Sequence, residues 1–144
     1  MSVLVNDDWG FSVHLPAGWF ETEGAATSVF AVGDANGNSI TATASIIDPE
    51  QPGNSLEETA DLFEQLYPSQ IGVADLLSRT NVKTAQGVNG VRMEWSIFNG
   101  IARQSFLMVI DSDISTGLVA SATAEDYDAL KEIFDHVLQS LATR

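Results

Sequence analysis

Cysteine is absent from the 144-residue sequence. Disulfide frameworks, thiolate metal sites and cysteine nucleophiles are therefore excluded. Cations are scarce: 6 Lys and Arg stand against 20 Asp and Glu, a net charge of −14. No Lys or Arg precedes Arg79, whereas twelve of the acids do. A phosphate backbone would be repelled over that whole half, which argues against nucleic acid as a partner. The same repulsion argues against charge-driven docking on an anionic membrane. The longest unbroken apolar run, Phe106 to Ile110, is too short to span a bilayer, so no membrane insertion is expected. The segment from Met1 to Asp8 has neither a basic region nor a long apolar stretch. A cytoplasmic location is expected as the sequence stands, with export or lipid anchoring the alternative if an N-terminal segment was removed.

What is present is apolar: hydrophobic residues make up 44% of the chain. That content excludes a disordered tail or a collagen-like fibre. The length suits one domain over residues 1–144.

The pattern runs strands, helix, strands, helix. Phe11, Val13 and Leu15 alternate with Ser12 and His14, which predicts a strand with one buried face. Pro16-Ala-Gly18 ends it. Ser28 to Val32 is a short apolar strand. Ile40, Ala42, Ala44 and Ile46 alternate with Thr41, Thr43 and Ser45 in a longer one. Asn36-Gly37 between them predicts a type I′ hairpin turn. Ser55 and Glu58 form a capping box, and Leu56, Ala60, Phe63, Leu66 and Tyr67 recur at helical spacing. Pro68 is expected to stop this helix, with a second helical piece from Ile71 to Leu77. Asn89-Gly90 and Asn99-Gly100 predict two tight turns around the strand Val91, Met93, Trp95 and Ile97. Gln104 to Ile110 continues the sheet, Asp111 to Asp113 is a turn, and Leu118 to Thr123 is the last strand. Thr123 caps a final helix whose stripe is Tyr127, Leu130, Phe134, Val137, Leu138 and Leu141. This stripe is expected to dock on Val91, Met93, Trp95 and Ile97, with Ala120 and Ala122 allowing close approach.

Chemistry is sparse. His14 and His136 have no ligand partner at metal spacing. The segment Asp34 to Asn38 has glycine at its fourth position, whereas a calcium loop needs it at the sixth, so a hairpin turn explains it better. Asp111 and Asp113 would make a weak two-ligand ion site. No nucleophile elbow, phosphate loop or dinucleotide fingerprint occurs. No metal and no cofactor are expected. Trp9 and Trp19, near strand ends, are the candidate binding residues, with core packing as the alternative.

Asp8-Trp9-Gly10-Phe11 through Pro16-Ala-Gly18-Trp19 resembles the opening of the PsbP-like family, a Gly-Phe strand running into a Pro-x-x-Trp corner. The order of elements that follows is similar, including a closing Ser140-Leu141 pair. The resemblance implies an α+β fold: an α/β/α sandwich with a central antiparallel sheet and helices on both faces. Relatives include a photosystem II extrinsic subunit, a Ran-binding import factor, lipoproteins of the LpqN type and chaperones for type VI secretion effectors. Pro16 and Trp19 would close a sheet corner. The expected function is a non-catalytic binding, chaperone or adaptor protein with a protein partner, for a secreted effector or an envelope complex, as monomer or homodimer. The alternatives are an enzyme using Asp111, Asp113 and His14, and a homodimeric structural interaction protein.

Overall fold

The computed structural model describes residues 2–24 and 28–143. The chain begins with β1 (Ser2–Asn6), β2 (Phe11–Leu15), β3 (Phe20–Glu21) and the hairpin β4 (Ser28–Gly33) and β5 (Ser39–Ile46). Helix α1 (Leu56–Ile71) leads into the meander β6 (Ala74–Lys83), β7 (Asn89–Ile97), β8 (Ala102–Asp111) and β9 (Ile114–Thr123). Helix α2 (Ala124–Gln139) and the short β10 (Ala142–Thr143) follow. Among the described residues the strands form a seven-stranded sheet, ordered β3-β4-β5-β9-β8-β7-β6, and a three-stranded one, ordered β1-β2-β10. Every pairing is antiparallel.

The large sheet is buried on two faces, and alternation decides which side chain goes where. Val91, Met93, Trp95, Ile97 and Phe106 form one core with Ala60 and Phe63 of α1. Leu107, Val109, Leu118, Ala120 and Ala122 form the other with Tyr127, Phe134, Val137 and Leu138 of α2. Phe11, Val13 and Leu15 of β2 join this second core, so the small sheet shares that face with α2. The architecture is α+β, with helices on opposite faces of a central antiparallel sheet. The sequence expectation for the docking of α2 is thus half corrected. Ala120 and Ala122 do lie beneath α2, but the alternating row from Val91 to Ile97 faces α1.

Other local expectations also shift. Pro68 does not stop α1, which continues to Ile71. The proline forfeits one helical bond, the one its missing N–H would give to Glu64 O, and the helix runs on to Gly72, which at φ 100° ends it while donating its N–H to Pro68 O at 3.0 Å. Residues 74–77 belong to β6, not to a helix. Asn89-Gly90 begins β7, and the chain reverses at Gly87, at φ 92°. In the β4–β5 loop Gly37 alone of the expected pair has positive φ, so the turn is not type I′. In the β7–β8 loop Phe98, Asn99 and Gly100 all do.

Asn38 fastens the β4–β5 loop to the start of α2. Its amide donates to Asp34 Oδ2 at 2.8 Å and to Asp126 Oδ2 at 2.9 Å, and its Oδ1 accepts from the Thr123 N–H at 3.2 Å. Burial opposes ionisation of Asp34, but hydrogen bonds from the Asn38 side chain and from the backbone N–H groups of Asn38 and Asn36 outweigh it. They hold the carboxyl below its ordinary 3.8. A depressed carboxyl contributes stability above the ordinary value and loses it as pH falls through the folded one.

Two outcomes are expected. Phe134 is fully buried and meets the ring edges of Trp19 and Tyr127 at centroid distances of 6.2 and 6.3 Å. Phe134→Ala should cost about 3–5 kcal/mol, read as a lowered urea midpoint at unchanged slope. Asn38→Ala removes three hydrogen bonds to side chain and backbone. It should cost about 1–3 kcal/mol and move the acid-unfolding midpoint to higher pH.

Candidate functional site

The open side of the structure lies where α2 stops short of the sheet's margin. β6 is the outermost strand, and its Ser78, Thr80 and Val82 share a face with Arg92 and Glu94 of β7. Along one register row Thr80 pairs with Arg92, and Arg92 with Leu107. Across from them α2 presents Lys131, Asp135, Leu138 and Gln139. The gap contains two adjoining hollows of about 280 and 270 Å³ that share Val82, Arg92 and Asp135. Val82, Leu107 and Leu138 give the groove apolar walls, Arg92 and Lys131 face it beside Glu94 and Asp135, and Lys83 borders it at the end of β6.

Two of the chain's six cations therefore face one groove, with Lys83 at its end, in a protein of net charge −14. Arg92 is held by Asp135 and lies 3.8 Å from Glu94. Among the described residues neither Lys83 nor Lys131 has an ion-pair partner. Next to Arg92, Tyr127 donates to Glu94 Oε1 at 2.9 Å and shares a hydrogen bond with Ser105 at 2.9 Å. The Arg103 guanidinium lies 5.3 Å from the Tyr127 ring centre, within cation–π range. Burial raises the Tyr127 pKa, and its bond to Glu94 adds to the rise. The groove is thus backed by a fixed polar network. None of these residues stands out in sequence, because β6 is not legible as a strand there.

The tryptophans have packing partners. Trp19 and Trp9 are both half-buried against the α2 core, and the Trp19 backbone N–H reaches Pro16 O at 3.5 Å across the corner. Trp95 is fully buried beneath α1, with its indole N–H unpartnered. Asp111 accepts a hydrogen bond from the Thr143 hydroxyl. Asp113 lies in the exposed β8–β9 turn, and its backbone oxygen accepts from the Ile47 N–H at 2.7 Å. His14 meets not these acids but His136, with ring nitrogens 3.1 Å apart. Among the described residues no three His, Asp or Glu side chains gather around a common point. No helix of the described residues is long and apolar enough to cross a membrane.

Tyr67, on the opposite face, donates to Gln104 Oε1, and burial pushes its pKa up to about 12. Tyr67 and Tyr127 are the chain's two tyrosines. A group whose folded pKa is raised contributes stability below its unfolded value and loses it as pH rises through the folded one. An absorbance titration should therefore show well under half of the phenolate at pH 10, the ordinary midpoint. Full ionisation should coincide with alkaline unfolding.

No known protein-family profile matches the sequence, and no characterised protein matches it at the sequence level. Solved structures do match. The chain superposes on cyanobacterial PsbP (CyanoP) of Synechocystis sp. PCC 6803 with a TM-score of 0.81 at 13% identity, covering 99% of this chain and 92% of that one. It is also similar to LpqN of Mycobacterium tuberculosis, a protein involved in cell envelope biogenesis, with a TM-score of 0.63 at 14% identity, covering 99% and 90%. At this identity the likeness concerns the path of the backbone, and it agrees with the Gly10-Phe11 to Trp19 opening: the chain has the PsbP-like fold.

Proposed function

We propose that the chain is a non-catalytic binding protein that holds an acidic segment of a partner protein in the groove between α2 and β6. The observation that carries this reading is the placement of Arg92 and an ion-pair-free Lys131 against apolar walls, with Lys83 at the groove's end, in an otherwise acidic protein. Apolar walls supply affinity and a few placed charges supply orientation. β6 adds a second means of capture. As the outermost strand it offers backbone donors and acceptors along one edge, the arrangement by which an extended peptide adds to a sheet. The fold likeness to CyanoP and to LpqN supports an adaptor role of this kind, in an envelope complex or for a secreted effector. The net charge sets a kinetic signature. A partner approaching a protein of −14 with acidic residues is repelled at long range and attracted only at the groove. Its association should quicken as salt screens the repulsion, whereas a basic partner would associate more slowly.

A photo-crosslinking side chain at Thr80, tested in cells of the source organism, should capture a partner peptide rich in Asp and Glu. Lys131→Glu should abolish that capture while leaving the urea midpoint close to that of the parent. Capture at Thr43, on the opposite sheet face, with none at Thr80 would overturn the reading.

A further inference from the structure

His14 and His136 are 122 positions apart in sequence, yet His14 Nδ1 and His136 Nε2 stand 3.1 Å from one another. Their ring centres are 5.3 Å apart, with the planes inclined at 36°. Two imidazoles this close can share one N–H as a hydrogen bond, or they can share a metal ion. Zinc–nitrogen bonds of about 2.0–2.1 Å at a near-tetrahedral angle place the two nitrogens about 3.3 Å apart. The observed separation is within a few tenths of an ångström of that bite.

We infer that His14 and His136 form a two-histidine binding site for a divalent transition-metal ion of the zinc, nickel or copper class, with water completing the coordination. Three further features support it. The rings sit on rigid elements: His14 lies between the buried Val13 and Leu15 of β2, and His136 precedes the fully buried Val137 of α2. The two elements are tied where the rings meet, since the His14 backbone N–H donates to Ser140 Oγ at 2.9 Å and that hydroxyl donates to Val137 O at 2.6 Å. The geometry is therefore set before an ion arrives. His136 also lies in the last turn of α2, where the helix dipole presents its negative end and favours a cation. The ligand set fixes the metal class. Imidazole nitrogens suit zinc, nickel and copper, whereas magnesium and calcium require oxygen. Among the described residues no carboxylate joins the pair to make a three-ligand group.

The test is calorimetric titration of the whole chain with zinc chloride at neutral pH, beside His14→Ala and His136→Ala. The parent should bind zinc, and an excess of magnesium should not displace it. Each variant should bind at least as much more weakly as proteins that lose an outer-shell partner, roughly 10–100-fold. Both rings are partly or fully exposed, so both variants should unfold at the parent's urea midpoint. Nitrogen-15 spectra of the imidazoles should show zinc at His14 Nδ1 and His136 Nε2. The inference is overturned if the parent binds no zinc, if both variants bind as tightly as the parent, or if ligation is through the other two ring nitrogens.

Discussion

The apolar run from Phe106 to Ile110 imposes the arrangement that the rest of the molecule obeys. A strand that is apolar on both faces must be covered on both, and β8 is the strand against which both helices pack. Phe106 points into the α1 core and Leu107 into the α2 core. The neighbours follow through register: Met93 and Val119 stand beside Phe106, and Arg92 and Leu118 beside Leu107. A slip of one residue would send every one of these side chains to the wrong face. Gly90 belongs to the same constraint. A Cβ there would come within 2.9 Å of Leu107 Cδ1 and 3.2 Å of Met108 O, so a side chain at this position would push Leu107 out of its present packing.

The same layering determines where charge can go. With both sheet faces committed, ionisable groups are left for loops, outer helix faces and sheet margins. α2 covers β8 and β9 but not the margin at β6, and there Arg92 rises from the sheet into its carboxylate clamp. The edge itself is a hazard, because a long unpaired strand invites pairing with other chains. Lys83 at the end of β6 and the register shift between Leu76 and Ser78 both discourage uncontrolled pairing, and a high net negative charge keeps copies apart. A margin protected in these ways remains open to a partner whose charges match it.

How much of this was legible in sequence depends on whether a period was intact. β2 and β7 alternate without interruption, and their buried faces match their apolar ones; in β5 the match holds at Ile40 and Ala42 but ends before Ile46, which is exposed at the strand's far end. The two helix starts were legible because capping is local: Ser55 Oγ accepts from the Glu58 N–H at 3.1 Å and Thr123 Oγ1 from the Asp126 N–H at 3.3 Å. β6 was not legible, since the register shift after Leu76 breaks the period of two and leaves Leu76-Leu77 looking helical. Pro68 misled because the loss of one backbone N–H need not stop a helix, whereas Gly72, free to adopt φ 100°, marks its end. The face beneath α2 was misassigned because β7 and β9 each offer an apolar row, and local pattern cannot say which row meets which helix.

The chemistry was less legible than the fold, and for a different reason: the partners of the polar groups are distant in sequence. Asp111 reads as a free carboxylate beside Asp113, yet it accepts from Thr143, whose backbone N–H in turn donates to Gln86 Oε1 at 2.9 Å. Gln86 Nε2 returns a bond to Thr143 O at 2.6 Å. This knot holds β10 and the β6–β7 loop to the end of β8. A carboxylate engaged in that way is poorly placed to act as a base or a metal ligand, since recruiting it would release the C-terminal strand. His14 and His136 show the converse. Each looks solitary in sequence, and their meeting is produced by the fold, which brings the end of α2 alongside β2 through Ser140. Function at such places is a property of tertiary contact, and no spacing rule along the chain could have indicated it.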